Sequence, residues 1–386
     1  MGPLKGFVVI ELAGIGPAPF AGMLLADMGA TVVRIDRRDT ADLGVPGRTP
    51  KFDVLARGRQ TIAVDLKSAE GIAVVKRLVA KADALIEGFR PGVIERLGLG
   101  PDVLVAVNPK LVVGRMTGYG QHGPMSDAAG HDINYISLSG ALHAIGRKGE
   151  APVPPLNLVG DFGGGGMFLA FGVVAALLEA TRSGKGQVVD AAMVDGAAYL
   201  MAMMYGFRSA GQWQDERGTN MLDTGAPWYD VYETADGKWL ALGSIEARFY
   251  QEMLTGLGLA ADPELPRQHD RKRWPELRAR IGDAIKGNTR DAWVSVFAGT
   301  DACVTPVLSL DEVARDPHMA ERQTLQMVDG VTAPAPAPRF SRTKPEAGNQ
   351  ARDAGSDTET VLRDFGFTAA EIVDLGTRGV VGKPAG

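Results

Sequence analysis

Residues 7–35 read FVVIELAGIGPAPFAGMLLADMGATVVRI. Phe7–Leu12 and Thr31–Ile35 are apolar, β-branched runs of strand length, and Pro19–Met28 between them carries apolar residues at helical spacing. The stretch therefore predicts a strand–helix–strand unit, which is the building block of a parallel sheet.

The same alternation continues along the chain. Thr61–Val64 and Ala84–Ile86 are predicted strands on either side of the amphipathic segment Ser68–Ala80, and Lys110–Gly114 is a further buried strand. We therefore expect an α/β fold with a large, open, mainly parallel sheet and helices on both of its faces. In such sheets, ligands bind beyond the carboxyl ends of the strands.

The second half of the chain changes in character. Met167–Ala180 and Met193–Arg208 are predicted helices, and Asp236-Gly237 predicts the turn of a hairpin between Trp228–Thr234 and Lys238–Ser244. We predict a large domain at 1–205, a connector at 206–221, a small α+β domain at 222–320, and a return linker with closing helices at 321–386.

Composition limits the possible partners. The 386 residues include 41 Lys or Arg and 46 Asp or Glu, so the net charge is −5. This charge gives no long-range attraction for a nucleic acid, and an anionic ligand needs a local basic cluster. The single cysteine, Cys303, excludes an intramolecular disulfide framework, and the five histidines lack the spacing of a helical metal pair. We expect no metal site.

The chain also shows no targeting pattern. We count no apolar run of the roughly 18–20 residues that span a bilayer. The first residues lack a basic and then apolar signal region, and the last ones do not form a peroxisomal address. We expect a cytoplasmic protein without a membrane partner.

Basic residues recur at the ends of the predicted strands. In a doubly wound sheet several of them would converge on one crevice and could grip phosphates; the alternative is a scatter of surface charges. They are Arg34, Arg37, Arg38, Arg57, Arg59, Arg90 and Arg96. Gly14-Ile15-Gly16 does not complete a dinucleotide-binding fingerprint, because Pro19 stands where its third glycine belongs.

Two segments carry candidate acid–base groups. Gly130–Tyr135 places His131 at a loop-to-helix junction, where backbone N–H groups can stabilise an oxyanion. Pro155–Gly166 places Asp161 between an apolar strand and four consecutive glycines, which suits close approach to a ligand. The alternatives are that Asp161 caps the following helix and that His131 is a hydrogen-bonded core residue.

These segments also carry a family resemblance. The chain resembles the class III CoA-transferase superfamily over essentially its whole length. The resemblance lies in Val9–Pro17 (VIELAGIGP), Glu87–Gly92 (EGFRPG), Arg115–Gln121 (RMTGYGQ), Gly130–Tyr135 (GHDINY), Gly160–Gly166 (GDFGGGG) and Gly243–Glu246 (GSIE). The GHDINY motif is similar to that of the α-methylacyl-CoA racemase family, whereas transferases resemble the chain at Asp161 but lack the histidine motif.

The resemblance implies a racemase that interconverts (2R)- and (2S)-2-methylacyl-CoA thioesters through an enolate. His131 and Asp161 would serve opposite faces of the α-carbon, and backbone N–H groups near His131 and Asp132 would bind the enolate oxygen. Asn157 and Tyr135 match positions around the site. No cofactor is implied, because CoA is part of the substrate.

The resemblance also implies an intertwined homodimer, in which Glu246 of one chain orients His131 of the other. Trp213, Trp228 and Tyr229 near the start of the small domain are expected to be exposed, which favours burial against a second subunit. The residues expected to bind CoA are Arg37, Val64, Asp65, Leu66, Lys67, Gly88, Phe89, Arg90 and Arg96, with Gly130, Ile133 and Asn134 of the histidine motif.

Methionines are concentrated where the acyl chain could lie, and their alternative role is core packing. They are Met193, Met201, Met203, Met204 and Met221. Two other functions stay open: a CoA-transferase in which Asp161 attacks the thioester to form a mixed anhydride, and a CoA-binding protein without turnover.

Overall fold

The computed structural model describes residues 2–38 and 49–383, which divide into two compact units. The first unit comprises residues 2–38, 49–139, 156–201 and 322–383. The second comprises residues 140–155 and 202–321, so it takes in the segment 206–221 as well as the part that follows.

The described residues form twelve strands. They are β1 (Val8–Leu12), β2 (Thr31–Arg37), β3 (Arg59–Val64), β4 (Ala84–Glu87), β5 (Val112–Thr117), β6 (Val188–Ala192), β7 (Tyr229–Glu233), β8 (Trp239–Gly243), β9 (Val304–Pro306), β10 (Leu325–Val328), β11 (Val331–Pro334) and β12 (Val381–Gly382).

The α-helices of the same residues are α1 (Pro17–Asp27), α2 (Ala69–Val79), α3 (Val93–Arg96), α4 (Pro101–Val107), α5 (Asp132–Leu138), α6 (Ala141–Ala144), α7 (Met167–Ser183), α8 (Met193–Leu200), α9 (Ala202–Ser209), α10 (Ala247–Gly256), α11 (Trp274–Lys286), α12 (Arg290–Phe297), α13 (Leu310–Val313), α14 (Pro317–Glu321), α15 (Thr358–Asp364) and α16 (Ala369–Thr377). Leu158–Gly166 forms a π-helical turn, and Pro50–Phe52, Val54–Ala56 and Arg271–Arg273 form short 3₁₀ helices.

The first unit is built on the predicted parallel sheet. Its described strands lie in the order β12-β3-β2-β1-β4-β5-β6, and all neighbours pair in parallel except β12, which runs antiparallel to β3. The chain moves outward from β1 to β3 and then returns to the other side of β1 with β4. This is the strand order of a doubly wound fold, whose ligands bind where the direction reverses. The predicted fold class is confirmed.

Helices cover both faces of this sheet, as a buried parallel sheet requires. Alternate residues of each strand point to opposite faces. Ile10 and Val33 pack in one core with α2, α4, α15 and α16, whereas Val9 and Val32 pack in the other core with α1 and α7. The carboxyl ends of the strands are therefore held by a core on each face of the sheet.

The segment before α7 differs from the prediction. An apolar strand was expected to precede Asp161, but Leu158–Gly166 is a helical turn that continues into α7. Its glycines permit close packing: a Cβ on Gly164 would lie 2.5 Å from the backbone nitrogen of Ala197, and one on Gly166 would lie 2.6 Å from Phe20. This packing overrides the low helix propensity of glycine. Asp161 lies inside the turn, so it is not a helix cap.

The turn and α7 together form one helical stretch, Leu158–Ser183, of 26 residues. The expectation that no apolar segment is long enough to span a membrane was therefore wrong. The core helix of a globular protein passes the same test of length and composition. Leu169 and Val173 of α7 are fully buried and approach Gly114 of β5, where a Cβ would lie 2.9 Å from either side chain.

The second unit carries the predicted hairpin. β7 and β8 pair antiparallel with β9 beyond them, and the core behind them is built on Trp228, Trp274 and Trp293. The expectation that Trp213 and Trp228 are exposed was wrong, since both are buried, whereas Tyr229 is partly exposed. The predicted helix Met193–Arg208 is interrupted at Met201, which separates α8 from α9.

Candidate active site

A cavity of about 660 Å³ opens at the carboxyl ends of three neighbouring strands of the first unit. It is lined by Ile15-Gly16-Pro17 after β1, Gly88-Phe89-Arg90 after β4 and Gly118-Tyr119 after β5. The position coincides with the reversal of strand order between β1 and β4, where a doubly wound sheet leaves a crevice.

His131 lines this cavity from the position just before α5. Its backbone N–H donates to Asn134 Oδ1 at 3.0 Å, which fixes the junction between the loop and the helix. The side chain is exposed. The alternative that His131 is a core residue is therefore wrong.

Tyr135 supports the loop that leads to His131. Its hydroxyl donates to the carbonyl oxygen of Gly130, and its ring contacts Tyr119 edge to face with the centroids 5.0 Å apart. Burial raises the pKa of Tyr135 to about 12, so the phenol keeps its proton and remains a donor at neutral pH.

Asp161 reaches the same cavity from the π-helical turn. Asn157 Nδ2 donates to Asp161 Oδ2 at 3.2 Å, and Gly16 lies opposite, where a Cβ would come within 3.5 Å of that oxygen. Burial raises the pKa of Asp161, the Asn157 hydrogen bond and the His131 charge lower it, and the charge of Asp132 raises it. The cavity thus holds an imidazole and a carboxylate that come from separate segments.

A second cavity, of about 280 Å³, lies beyond the ends of β2 and β3. Its lining includes Arg37, Arg38, Val64, Asp65, Leu66, Lys67 and Phe89. The Arg37 guanidinium lies over the Phe89 ring, 5.7 Å from its centroid. Phe89 lines both cavities, so the loop after β4 borders each of them.

The strand-end arginines do not form one cluster. Arg34 pairs with Asp36 at 2.9 Å, Arg57 with Asp27 at 2.5 Å and Arg59 with Glu11 at 2.9 Å, and all three pairs are largely buried. These arginines offset buried carboxylates, so they fit neither of the two alternatives, a phosphate-binding cluster or a scatter of surface charges. Arg96 is exposed on α3, whose Val93 lines the second cavity.

Glu87 is a supporting residue that sequence reasoning missed. It is fully buried at the end of β4, where it accepts the Phe89 N–H at 2.6 Å and Arg115 Nε at 3.0 Å. Burial raises its pKa. The carboxylate fixes the loop Gly88–Arg90, and its signal in the sequence is an acidic residue ending an otherwise apolar strand.

The remaining predicted residues lie in different places. Gly130 and Asn134 line the first cavity, whereas Ile133 is exposed on α5 and Asp132 is buried beneath it. Met193 lines the cavity. Of the other methionines, Met201 belongs to the first unit, and Met203, Met204 and Met221 belong to the second. Glu246 is exposed in the second unit, just before α10.

Among residues 2–38 and 49–383, no group of three or more His, Cys, Asp or Glu side chains is placed to hold a metal ion.

Comparison with known proteins places these features in a family. Residues 4–358 match the family described as CoA-transferase family III. The α-methylacyl-CoA racemase of Mus musculus is 48% identical over 376 residues, which cover 96% of each chain. That of Homo sapiens is 45% identical over 381 residues, which cover 98% of this chain and 97% of its own. The crystal structure of a CAIB/BAIF family protein from Brucella suis has a TM-score of 0.80 at 24% identity, and covers 94% of this chain and 99% of its own.

Proposed function

The chain belongs to CoA-transferase family III, and we propose that it is an isomerase that interconverts (2R)- and (2S)-2-methylacyl-CoA thioesters. Its relatives named α-methylacyl-CoA racemase support this activity. One structural observation carries the proposal: His131 and Asp161, from separate segments, line one cavity beside the loop that holds Arg90.

The reaction needs two proton-transfer groups. One base takes the α-proton, and the electron pair of the C–H bond moves into the enolate of the thioester. The conjugate acid of the other group then gives its proton to the opposite face of the same carbon. We assign the two roles to His131 and Asp161; which of them acts first depends on the epimer that is bound.

The enolate oxygen needs a hydrogen-bond donor. Both His131 and Asp132 were expected to supply a backbone N–H, but that of His131 is donated to Asn134 Oδ1. Asp132 is the first residue of α5, and the N–H groups of a first helical turn have no acceptor within the helix. We assign the enolate contact to the Asp132 N–H.

We assign the CoA moiety to the second cavity and the loop shared with the first. Arg37, Lys67 and the backbone of Val64–Leu66 are suited to the nucleotide and phosphates, and Arg90 to the path toward the reacting carbon. Arg96 is exposed on α3, whose Val93 lines the second cavity. The reaction as written requires no separate cofactor, because the thioester of CoA is itself the electron sink.

We further propose that the protein is a homodimer. On α7 the side chains of Met167, Phe171, Val174 and Leu178 are exposed, and they recur at intervals of four, three and four residues along one helix face. Such a stripe is typical of a surface that packs against another chain. The exposed Glu246 is suited to reach His131 of a second copy and to orient its imidazole.

We also propose a cytoplasmic location. The single cysteine, Cys303, is an exposed free thiol, which fits a reducing compartment. Localisation of a tagged full chain by cell fractionation tests this assignment.

The activity is tested by incubating one 2-methylacyl-CoA epimer with the protein in deuterated water. We expect both epimers to appear, with deuterium at C2 and without any added acid acceptor. Transfer of CoA to an added carboxylate without exchange at C2 would identify a transferase that uses Asp161 as nucleophile. Tight binding of CoA with neither reaction would identify a binding protein.

A further inference from the structure

The side chain of Asp132 joins the two segments that carry the proposed bases. Asp132 follows His131 directly and begins α5, and its side chain is buried. Its Oδ2 accepts the backbone N–H of Asp161 at 2.7 Å. One carboxylate therefore connects the histidine segment to the π-helical turn, 29 residues further along the chain.

Gly160 shows how closely this carboxylate approaches the turn. A Cβ built on Gly160 would lie 2.6 Å from Asp132 Oδ2 and 2.9 Å from its Cγ, which is closer than real Cβ atoms come. The φ angle of Gly160 is not in the left-handed region, so backbone conformation does not require glycine here. Glycine at 160 instead leaves room for the Asp132 carboxylate.

The other oxygen of Asp132 is also buried. Asp132 Oδ1 has no hydrogen-bond partner among residues 2–38 and 49–383. A buried polar atom without a partner costs free energy, so helix stability alone does not explain the placement of this carboxylate. The same position could hold an asparagine, whose amide has a similar shape and keeps an acceptor oxygen.

The charged and titratable groups that act on Asp161 come from the elements around it. α5 and the residue before it supply Asp132 and His131, whose charges act on Asp161, and the neutral Asn157 just before the π-helical turn donates a hydrogen bond to it. The charge of Asp161 in turn acts on Tyr135 of α5, as does that of Arg90 in the loop after β4. Of these, Asp132 is the carboxylate whose charge raises the pKa of Asp161, in addition to the larger effect of burial.

We infer that the Asp132 side chain is a positioning residue for Asp161: it anchors the backbone of the π-helical turn, so that both bases are held against one α-carbon. This inference rests on the proposed racemase function. The carboxylate has a second effect through its charge, which makes the Asp161 carboxylate a stronger base.

Two variants separate the hydrogen bond from the charge. Asp132→Asn keeps an acceptor for the Asp161 N–H and removes the charge, whereas Asp132→Ala removes both. Asp102→Asn is the matched control, because Asp102 lies in the first turn of α4, another seven-residue helix, and is exposed. None of the variants changes the backbone N–H assigned to the enolate.

The first measurement is hydrogen–deuterium exchange of the segment 158–166 by mass spectrometry, which does not depend on turnover. We expect faster uptake in Asp132→Ala, and wild-type uptake in Asp132→Asn and Asp102→Asn. Unchanged uptake in a folded Asp132→Ala protein overturns the inference.

The second measurement is the pH profile of α-proton exchange, recorded separately for each epimer. In Asp132→Asn, the acidic limb for the epimer deprotonated by Asp161 moves to lower pH, because loss of the negative charge lowers the pKa of Asp161. In Asp132→Ala, exchange of that epimer falls by about 10²-fold at unchanged KM. Profiles of Asp132→Asn that match wild type overturn the electrostatic part. If wild type exchanges neither epimer while Asp132→Ala loosens the segment, the proposed function fails and the anchoring of Asp161 stands.

Discussion

At the scale of single residues, the two proposed bases are held in different ways. His131 is exposed and positioned through its own backbone, whereas Asp161 is half-buried and held by Asn157 and Asp132. Because burial raises the pKa of Asp161, this carboxyl is protonated at pH values where an ordinary aspartate is ionised. As the pH falls, Asp161 therefore loses its ability to abstract a proton at a higher pH than an exposed aspartate would.

Removal of either base should abolish racemisation and leave exchange of one epimer. We expect His131→Ala and Asp161→Ala each to lower net epimerisation by about 10²–10⁴-fold, the usual contribution of a general acid or base. The remaining base can still take the α-proton that faces it and return deuterium to the same face. Deuterium at C2 of each recovered epimer, measured by mass spectrometry, should differ between the variants. Racemisation near the wild-type rate in either variant would show that the bases are misassigned.

Gly160→Ala tests the close approach of Asp132 directly. The added methyl group would overlap Asp132 Oδ2, so the carboxylate or the turn must shift, and a shift of about 1 Å can cost about 10²-fold in rate. Gly376→Ala in α16 is the control, because a Cβ there meets nothing within 4 Å. It should keep full activity and gain about 0.5–1 kcal/mol of stability. Equal activity of both variants would contradict the steric role of Gly160.

The sequence predicted residue types better than residue partners. His131, Asp161 and Arg90 were identified, and they do line one cavity. The burial of Arg57 against Asp27, and of Arg59 against Glu11, was not foreseen. An ion pair between distant segments depends on strand register and helix packing, which leave no local pattern. Asp132 was singled out for its backbone, and the contact of its side chain with Asp161 needed the structure.

At the scale of elements, periodicity located most helices and strands within a few residues. The Asp236-Gly237 hairpin and helix α7 were predicted closely, because turn chemistry and helical spacing are local signals. The exception was the turn Leu158–Gly166, where an apolar strand was expected. Packing of its glycines against α1 and α8 decides that conformation. Such contacts between distant segments cannot be predicted from the local spacing of apolar residues.

Helix α16 provides a prediction at this scale. The Glu371 carboxylate accepts hydrogen bonds from the Thr368 N–H and from the Arg77 guanidinium. These bonds lower the pKa of Glu371 from an ordinary value of 4.5 to about 2, and the Thr368 N–H has the larger effect. A depressed pKa in the folded state stabilises the protein above pH 4.5, and this contribution is lost as the pH falls toward 2. The difference in melting temperature between wild type and Glu371→Gln should therefore shrink over that interval.

A second carboxylate provides the control for this measurement. Glu359 of α15 is more exposed and pairs with Arg363 four residues on. Glu359→Gln should give a small difference in melting temperature, as exposed ion pairs do. A Glu371→Gln difference that stays constant between pH 5 and pH 2.5 would argue against the capping role.

At the scale of the whole molecule, the proposed dimer makes each active site depend on two chains. His131→Ala and Glu246→Ala proteins should each be nearly inactive alone. After subunit exchange, about half of the dimers are mixed, and each mixed dimer has one site with both residues, so about a quarter of wild-type activity should return. Mixtures that stay inactive after proven exchange, or a fully active monomer in gel filtration, would exclude this arrangement.

Strand β12 has a consequence for synthesis on the ribosome. It covers the outer edge of β3 through the pairing of Val381 with Val64, 317 residues apart in the chain. At about 5–20 residues per second, roughly 15–60 s separate the emergence of the two strands. During that interval the backbone groups of β3 are an open template for other nascent chains. Silent codon changes that slow translation after α14 should therefore lower the soluble yield of this protein without altering a single side chain.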